Sequence, residues 1–268
     1  MKKKLYISNL GWQKKDNLKI FKILKKHKIK GIDLAPIKLS KTWSSAEKKA
    51  YNFRKTLRRF DLKINAIQGI FFNTKFNLFN MNKVDEKKLI KHLKRIIKIS
   101  KIYNCNKIVL GSASFRNNII FDKNYANKIF LKFFKKIEPL FRKNKITICF
   151  ETIPKQYGEN YLYDIEHLVE LIKNLDSPFM KINFDTSIFH YNKFDKKKFS
   201  KNKRLIQNIQ ISEKKFNFFD KPNKKNKLFC KLIKKYSQHK DISLEIISNK
   251  TNFHKIENSI QELNFLLN

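Results

Sequence analysis

Eight short β-prone segments alternate with eight longer amphipathic segments along this chain of 268 residues. The β-prone segments are runs of Ile, Leu, Val and Phe, and they predict strands at Lys4–Ser8, Gly31–Leu34, Lys63–Gln68, Lys107–Gly111, Thr147–Glu151, Met180–Asp185, Leu205–Ile211 and Asp241–Ile246. The segments after them repeat apolar residues at helical spacing, which predicts helices at Asn17–His27, Ser44–Phe60, Asp85–Tyr103, Tyr125–Lys143, Asp164–Leu175, Lys193–Lys203, Asn226–Ser237 and Thr251–Leu267. This alternation is typical of parallel strands that are joined by helices.

The number of these strand and helix units limits the possible architectures. Eight units within roughly 250 residues predict an α/β fold in which the sheet closes into a (β/α)8 TIM barrel. No linker divides the chain, so we expect a single domain over residues 1–268. An open doubly wound sheet is the alternative. It usually carries a glycine-rich phosphate loop after its first strand, whereas the loop NLGWQKKD in this chain has a single glycine.

The chain carries a strong positive charge, with 61 Lys and Arg against 22 Asp and Glu, a net of +39. Lysines occur in nearly every segment, and only seven of the basic residues are Arg, the side chain that binds phosphates and bases in a bidentate way. Because Asn, Ile and Phe are also abundant, we attribute the charge mainly to the codon composition of an AT-rich genome. An anionic partner or substrate is the alternative, and we expect no specific nucleic acid partner.

The cysteines, the N-terminus and the hydropathy indicate the compartment. Three scattered cysteines without a CxxC motif predict neither a disulfide framework nor a structural zinc site. The N-terminus is basic but lacks the apolar region of a signal peptide, and no stretch approaches the roughly 18 apolar residues of a membrane span. We therefore expect a cytoplasmic protein that does not bind membranes. Five histidines are predicted at helix surfaces: His27, His92, His167, His239 and His254.

Three predicted strands end in a carboxylate: the fifth at Glu151, the sixth at Asp185 and the eighth at Glu245. The C-terminal ends of the strands meet at one end of such a barrel, where the active sites of these barrels lie. Three anions in one place repel one another unless a cation lies between them, and carboxylate oxygens suit a divalent metal. The pattern therefore indicates a divalent-metal site. The alternative is that each carboxylate caps the helix that follows it.

Seven stretches along nearly the whole chain match the pattern of one family in their order and spacing. They are ISNLGW, GIDLAPIK, IQGIFFNTKFNLF, CFETIPKQYGENY, FDTSIFH, IQNIQISE and SLEI. On these stretches the chain resembles the sugar phosphate isomerase/epimerase family, which has the xylose isomerase-like TIM barrel. The resemblance implies a metal-dependent isomerase or epimerase that acts on a small sugar or sugar phosphate, and a homo-oligomer is compatible with it.

The resemblance also implies which residues form the site. Family members hold one divalent metal with Glu, Asp, His and Glu from strands five to eight, and Glu151, Asp185, Gln210 and Glu245 occupy these positions here. Gln210 stands where the family has His, so all four ligand atoms are oxygens, which favours Mn²⁺ or Mg²⁺ over Zn²⁺. Glu151 and Glu245 are then the catalytic residues, because one removes a proton next to the substrate carbonyl and the other returns a proton to the resulting enediolate.

Four further side chains are candidate substrate contacts. Trp12 is expected to stack on a sugar ring or to pack in the core, and Gln68 to bond a sugar hydroxyl or to be solvated at its strand end. Arg116 is expected to bind a phosphate or carboxylate, or to lie solvated in its loop. Tyr157, in the long loop after the fifth strand, is expected to cover the pocket.

Two other functions remain open at this point. A barrel whose metal site has decayed would be a pseudoenzyme or binding protein, and the loss of two histidines from the seventh strand, at Asn208 and Gln210, favours this alternative. A nuclease similar to endonuclease IV would suit the positive charge, but its cluster of metals needs several strand-end histidines, which this chain lacks at the expected positions.

Overall fold

The computed structural model describes residues 4–120, 122–193, 195–236 and 241–267. The eight strands in these ranges form one closed barrel. Each strand pairs in parallel with the next along the chain, and the last pairs with the first. The predicted closed (β/α)8 barrel is therefore confirmed, and the open doubly wound sheet is wrong.

The elements lie close to their predicted places. The strands are β1 Lys4–Ser8, β2 Gly31–Leu34, β3 Lys63–Ile67, β4 Lys107–Leu110, β5 Thr147–Glu151, β6 Met180–Asp185, β7 Ile206–Ser212 and β8 Asp241–Glu245. The helices are α1 Asn17–Lys26, α2 Trp43–Arg59, α3 Lys83–Ile102, α4 Lys123–Lys143, α5 Ile165–Leu175, α6 Lys196–Asn202, α7 Lys224–Tyr236 and α8 Phe253–Leu267. Over the described ranges, no helix has both the length and the apolar character that a membrane span requires.

Four helices, α2, α3, α4 and α7, begin one or two residues earlier than predicted, and a polar side chain caps each of the first three. Thr42 accepts a hydrogen bond from the backbone N–H of Ser45 at the start of α2. Asn82 and Asp122 accept similar bonds at the starts of α3 and α4. Such caps satisfy N–H groups that have no partner within the helix, so the cap and not the first periodic apolar residue determines where the helix begins.

The main apolar core lies between the strands and the surrounding helices. Phe150 of β5, for example, points outward, and its ring centroid lies 5.4 Å from that of Phe130 and 4.7 Å from that of Phe134, both in α4. Because side chains alternate along a strand, the neighbours of Phe150, Cys149 and Glu151, point into the barrel. Packing of the outer core therefore determines which carboxylates face inward.

A register shift in each of two strand pairs brings additional polar side chains into the barrel. Between β2 and β3, Asp33 pairs with Ala66 and leaves Asn65 as an extra residue. Between β6 and β7, Asn183 pairs with Asn208 one position later than an uninterrupted register would give. Such bulges re-aim the side chains beside them. The amides of Asn65 and Asn208 consequently meet inside the barrel, with Nδ2 and Oδ1 3.2 Å apart.

Candidate active site

Glu151, Asp185 and Glu245 meet at the C-terminal end of the barrel. One carboxylate oxygen of each residue lies within 4.8 Å of those of the other two, and all three residues are buried. In the described part of the chain, no lysine or arginine forms an ion pair with them. Buried anions need a counter-charge, and an all-carboxylate donor set is the kind that hard divalent cations prefer. The cluster therefore fits a divalent metal ion.

Burial and mutual repulsion hold protons on this cluster when no cation is bound. Burial, followed by the charge of Asp185, raises the pKa of Glu151 to about 8. Burial and then the charges of Asp185 and Glu151 raise the pKa of Glu245 well above its ordinary value, and burial raises the pKa of Asp185 as well. A divalent cation removes the repulsion and displaces these protons, so its binding is expected to be tighter at higher pH.

Asp185 is held by a hydrogen bond to each of its oxygens. Oδ1 accepts from the backbone N–H of Ser187 at 2.6 Å, and Oδ2 accepts from Oγ of Ser212 at 3.0 Å. The first bond caps a short 3-10 turn, Thr186–His190, so Asp185 combines the capping role with a place in the cluster. Ser212 lies beside Glu245 in the β7–β8 pairing, which puts its hydroxyl at the level of the carboxylates.

The position of the Glu151 carboxylate depends on two residues that the sequence analysis did not identify. A Cβ added at Gly111 would lie 2.5 Å from Oε2 of Glu151, so glycine leaves the space that the carboxylate fills. Nδ2 of Asn183 donates to the same oxygen at 3.0 Å. The sequence contains an indication of each residue. Gly111 directly follows β4, and Asn183 lies two residues before Asp185 and hence on the same face of β6.

Gln210 lies next to Asp185 in the β6–β7 pairing and is fully buried. Its Oε1 accepts from Nδ2 of Asn183 at 2.5 Å, and its Nε2 donates to Oδ2 of Asp33 at 3.1 Å and to Oε1 of Gln68 at 2.9 Å. The structure thus brings Gln210 to the layer directly beneath the carboxylates. Its role as a metal ligand stays a prediction.

Two predicted substrate contacts are buried at this end of the barrel. Gln68 is 2% exposed, and its Nε2 donates to Oγ of Ser8 at 2.6 Å, so solvation at a strand end is wrong for it. Trp12 is 1% exposed, and its indole N–H donates to Oδ1 of Asn17 at 2.8 Å. The Trp12 ring therefore packs in the core and has no exposed face on which a sugar could stack.

Arg116 differs from both of its predicted roles. Its side chain is fully buried with that of Glu159, and its Nε and Nη2 donate to Oε2 of Glu159 at 3.1 and 2.5 Å. Its Nη1 donates to the backbone oxygen of Leu110 at 3.1 Å. The guanidinium is consequently neither solvated nor free to bind a substrate phosphate. It joins the loop after β4 to the loop after β5.

Tyr157 lies half-buried in the loop after β5, where it connects three loops at the active-site end. Its hydroxyl accepts from the backbone N–H of Lys215 at 2.7 Å and from the hydroxyl of Tyr191 at 3.2 Å. Its ring centroid lies 5.3 Å from that of Phe216. The loops after β5, β6 and β7 therefore meet at this tyrosine, and its predicted role of covering the pocket stays a prediction.

The histidines do not all lie on the surface as predicted. His92 and His167 are buried, and each ring uses Nε2 in a short hydrogen bond, to the oxygen of Ile70 at 2.7 Å and to Oδ1 of Asn127 at 2.8 Å. The apolar faces of α3 and α5 take these rings into the outer core, where a backbone or amide oxygen satisfies them. His239 lies outside the described residues.

Comparison with solved structures shows several proteins of similar fold. A 3-keto-D-glucoside 4-epimerase from E. coli has a TM-score of 0.77 at 11% identity, with 98% of this chain and 100% of that chain covered. An IOLI protein with a bound zinc atom has a TM-score of 0.75 at 12% identity, with 98% of each chain covered. An AP endonuclease of family 2 from Brucella melitensis has a TM-score of 0.72 at 13% identity, with 96% of each chain covered. At these identities the likeness shows the fold alone.

Comparison of sequences gives one significant match. No curated protein sequence matches the chain significantly. A family model described as a xylose isomerase-like TIM barrel matches residues 21–265. Because this match spans most of the sequence and the barrel has the corresponding topology, the chain belongs to the xylose isomerase-like TIM barrel family.

Proposed function

We propose that this protein is a metal-dependent isomerase or epimerase of a small sugar or sugar phosphate. The observation that carries the proposal is the buried cluster of Glu151, Asp185 and Glu245, which forms no ion pair with a basic side chain of the described residues. Its position at the C-terminal end of the barrel is the usual place for catalysis in this architecture. The sugar epimerase among the structural neighbours supports the reaction class.

Glu151, Asp185 and Glu245 would hold the cation, with the amide oxygen of Gln210 as the candidate fourth ligand. A bound divalent ion supplies Lewis-acid stabilisation of the negative charge that develops on a substrate carbonyl oxygen. Oxygen donors favour Mn²⁺ or Mg²⁺ over Zn²⁺. Asp185, held at both oxygens by Ser187 and Ser212, is suited to holding the ion and not to moving a proton.

Glu151 and Glu245 are the candidate acid and base. In the metal-free protein burial raises the pKa of both residues, to about 8 for Glu151. A bound cation lowers these values, so the contribution of each carboxylate rests on its correct placement next to the reacting carbon. One glutamate takes the proton next to the substrate carbonyl. The other gives a proton to the opposite face of the same carbon, which is epimerisation, or to the adjacent carbon, which is isomerisation.

The charge of the chain supports an anionic substrate. A net charge of +39 raises the local concentration of anions and speeds their encounter with the site. This field favours a sugar phosphate over a neutral sugar. The buried Arg116 is excluded as the phosphate ligand, so a phosphate group would have to be bound by backbone N–H groups or by lysines of the loops around the barrel mouth.

The test combines metal binding with proton exchange. Calorimetric titration with Mn²⁺, Mg²⁺ and Zn²⁺ should detect one site, and a panel of sugars and sugar phosphates in D₂O should show deuterium incorporation next to the carbonyl for the true substrate. Glu245→Gln should abolish incorporation, whereas Glu257→Gln, a change in a surface ion pair with Lys26, should not. The absence of any divalent-metal binding at millimolar concentration would contradict the proposal and favour a pseudoenzyme.

A further inference from the structure

A continuous set of hydrogen bonds runs through the barrel interior beneath the carboxylate cluster. It joins an acidic side chain, Asp33 of β2, and a basic one, Lys107 of β4, to four amides that we call the amide relay: Asn65, Asn183, Asn208 and Gln210. All six residues are buried. Interiors of such barrels are usually filled by branched apolar side chains, and polar groups are costly there unless they are fully bonded. The network therefore needs an explanation.

Asp33 sets the direction of the hydrogen bonds that run through Gln210 to Asn183. Both carboxylate oxygens of Asp33 accept hydrogen bonds: Oδ1 accepts from Nδ2 of Asn65 at 2.7 Å, and Oδ2 accepts from Nε2 of Gln210 at 3.1 Å. Because Gln210 turns its nitrogen towards Asp33, it presents its oxygen to Asn183. Nδ2 of Asn183 donates to that oxygen at 2.5 Å.

Lys107 sets the direction of the hydrogen bonds that run through Asn208 to Asn183. An ammonium group can only donate, and Nζ of Lys107 lies 2.5 Å from Oδ1 of Asn65 and 3.3 Å from Oδ1 of Asn208. Because Asn208 turns its oxygen towards the lysine, it presents its nitrogen to Asn183. Nδ2 of Asn208 donates to Oδ1 of Asn183 at 2.8 Å. The bonds from Gln210 and from Asn208 thus impose the same orientation on the amide of Asn183.

The orientation of the Asn183 amide determines which of its atoms faces the carboxylate cluster. One N–H of Asn183 is directed to Gln210, and the other donates to Oε2 of Glu151 at 3.0 Å. If the amide were reversed, its oxygen would face the carboxylate and repel it. We propose that Asp33 and Lys107 are positioning residues for Glu151, which neither of them contacts, because they fix the direction of the amide relay. The proposal rests on the proposed function, in which Glu151 is a metal ligand.

The experiment measures Mn²⁺ affinity by calorimetry in three variants of the full chain. Asp33→Asn keeps the shape but can donate as well as accept, Lys107→Met removes the donor, and Asn183→Leu removes the relay's bond to Glu151. Each variant should weaken Mn²⁺ binding about 10-fold or more, the usual effect of losing a partner that orients a metal ligand. Asn9→Leu is the matched control, because this buried amide bonds only to the backbone of Ala35 in the described structure. It should leave the affinity within about twofold.

A double variant separates the relay from a general loss of packing. Asp33→Asn combined with Asn183→Leu should bind Mn²⁺ no more weakly than Asn183→Leu alone, because the effect of Asp33 passes through Asn183. Affinity losses that multiply, or an unchanged affinity in Asp33→Asn, would overturn the relay and leave the metal site standing. If the unmodified protein binds no Mn²⁺, Mg²⁺ or Zn²⁺, the proposed function fails and the relay proposal fails with it.

Discussion

The buried ion pair between Arg116 and Glu159 gives the sharpest prediction about stability. Both side chains are fully buried, and the guanidinium also bonds the oxygen of Leu110. Oε1 of Glu159 accepts from the backbone N–H groups of Tyr161 and Leu162 at 3.0 and 3.1 Å. Glu159→Gln keeps the shape of this side chain but removes its charge, so the guanidinium of Arg116 stays buried without a counter-charge.

The expected loss is large because water cannot reach the unpaired charge. Removing one partner of a buried pair costs about 3–5 kcal/mol in the free energy of unfolding, a large part of the roughly 5–15 kcal/mol that a folded domain has. The matched control is Glu47→Gln. Glu47 pairs with Arg95 at 3.1 Å and with Lys98 at 2.6 Å, but all three side chains are partly exposed, so the cost should be at most about 1 kcal/mol.

Urea unfolding followed by circular dichroism measures both losses, provided that the slope of unfolding free energy against urea is unchanged. Arg116→Met combined with Glu159→Leu removes both charges and should restore much of the stability, because an apolar pair of similar volume does not leave a buried charge unpaired. Equal losses in Glu159→Gln and Glu47→Gln would refute the reasoning. They would mean that water or a local movement solvates Arg116 once its partner is gone.

Three further predictions concern the site and the charge. Gly111→Ala should weaken Mn²⁺ binding about 10-fold in calorimetry, because its Cβ would lie 2.5 Å from Oε2 of Glu151. The metal-free protein should lose stability to urea as the pH rises from about 5 to 8. The reason is that Glu151, with a pKa of about 8, holds a proton in the folded state that the unfolded chain has released. Saturating Mg²⁺ should remove this pH dependence of stability. Binding to duplex DNA, measured by fluorescence anisotropy, should be weak and fall steeply with salt, and nicking of abasic DNA that Asp185→Asn abolishes would favour a nuclease instead.

The fold and the carboxylates were predictable because they depend on local patterns. β5 has its predicted bounds, Thr147–Glu151, since a short apolar run that ends in a carboxylate defines both the strand and its last inward side chain. β7 begins and ends one residue later than predicted, at Ile206–Ser212, beside the register shift between β6 and β7. A bulge depends on the neighbouring strand, and the pattern of β7 alone does not contain that information.

The buried charges were not predictable, because each depends on a partner far away in the chain. Arg116 lies in a loop of polar residues that is typical of solvated arginines, and its partner Glu159 follows 43 positions later. Lys107 begins β4, and in a chain with so many lysines a charged residue at a strand start indicates nothing unusual. Closure of the barrel places Lys107 next to Asn208, which is 101 positions away.

The same partnerships bear on whether the site has decayed. On the resemblance, Asn208 and Gln210 occupy the positions of two family histidines, and buried amides at these positions have to be hydrogen-bonded for stability whether or not the site is active. Each amide nitrogen and oxygen of these two residues has a directed partner, and the bonds lead through Asn183 to Glu151. An unpaired buried amide costs about 1–3 kcal/mol, so stability alone already requires these partners. Whether these bonds also orient Glu151 distinguishes an organised metal site from a decayed one, and the Mn²⁺ affinity of Asn183→Leu decides between the two.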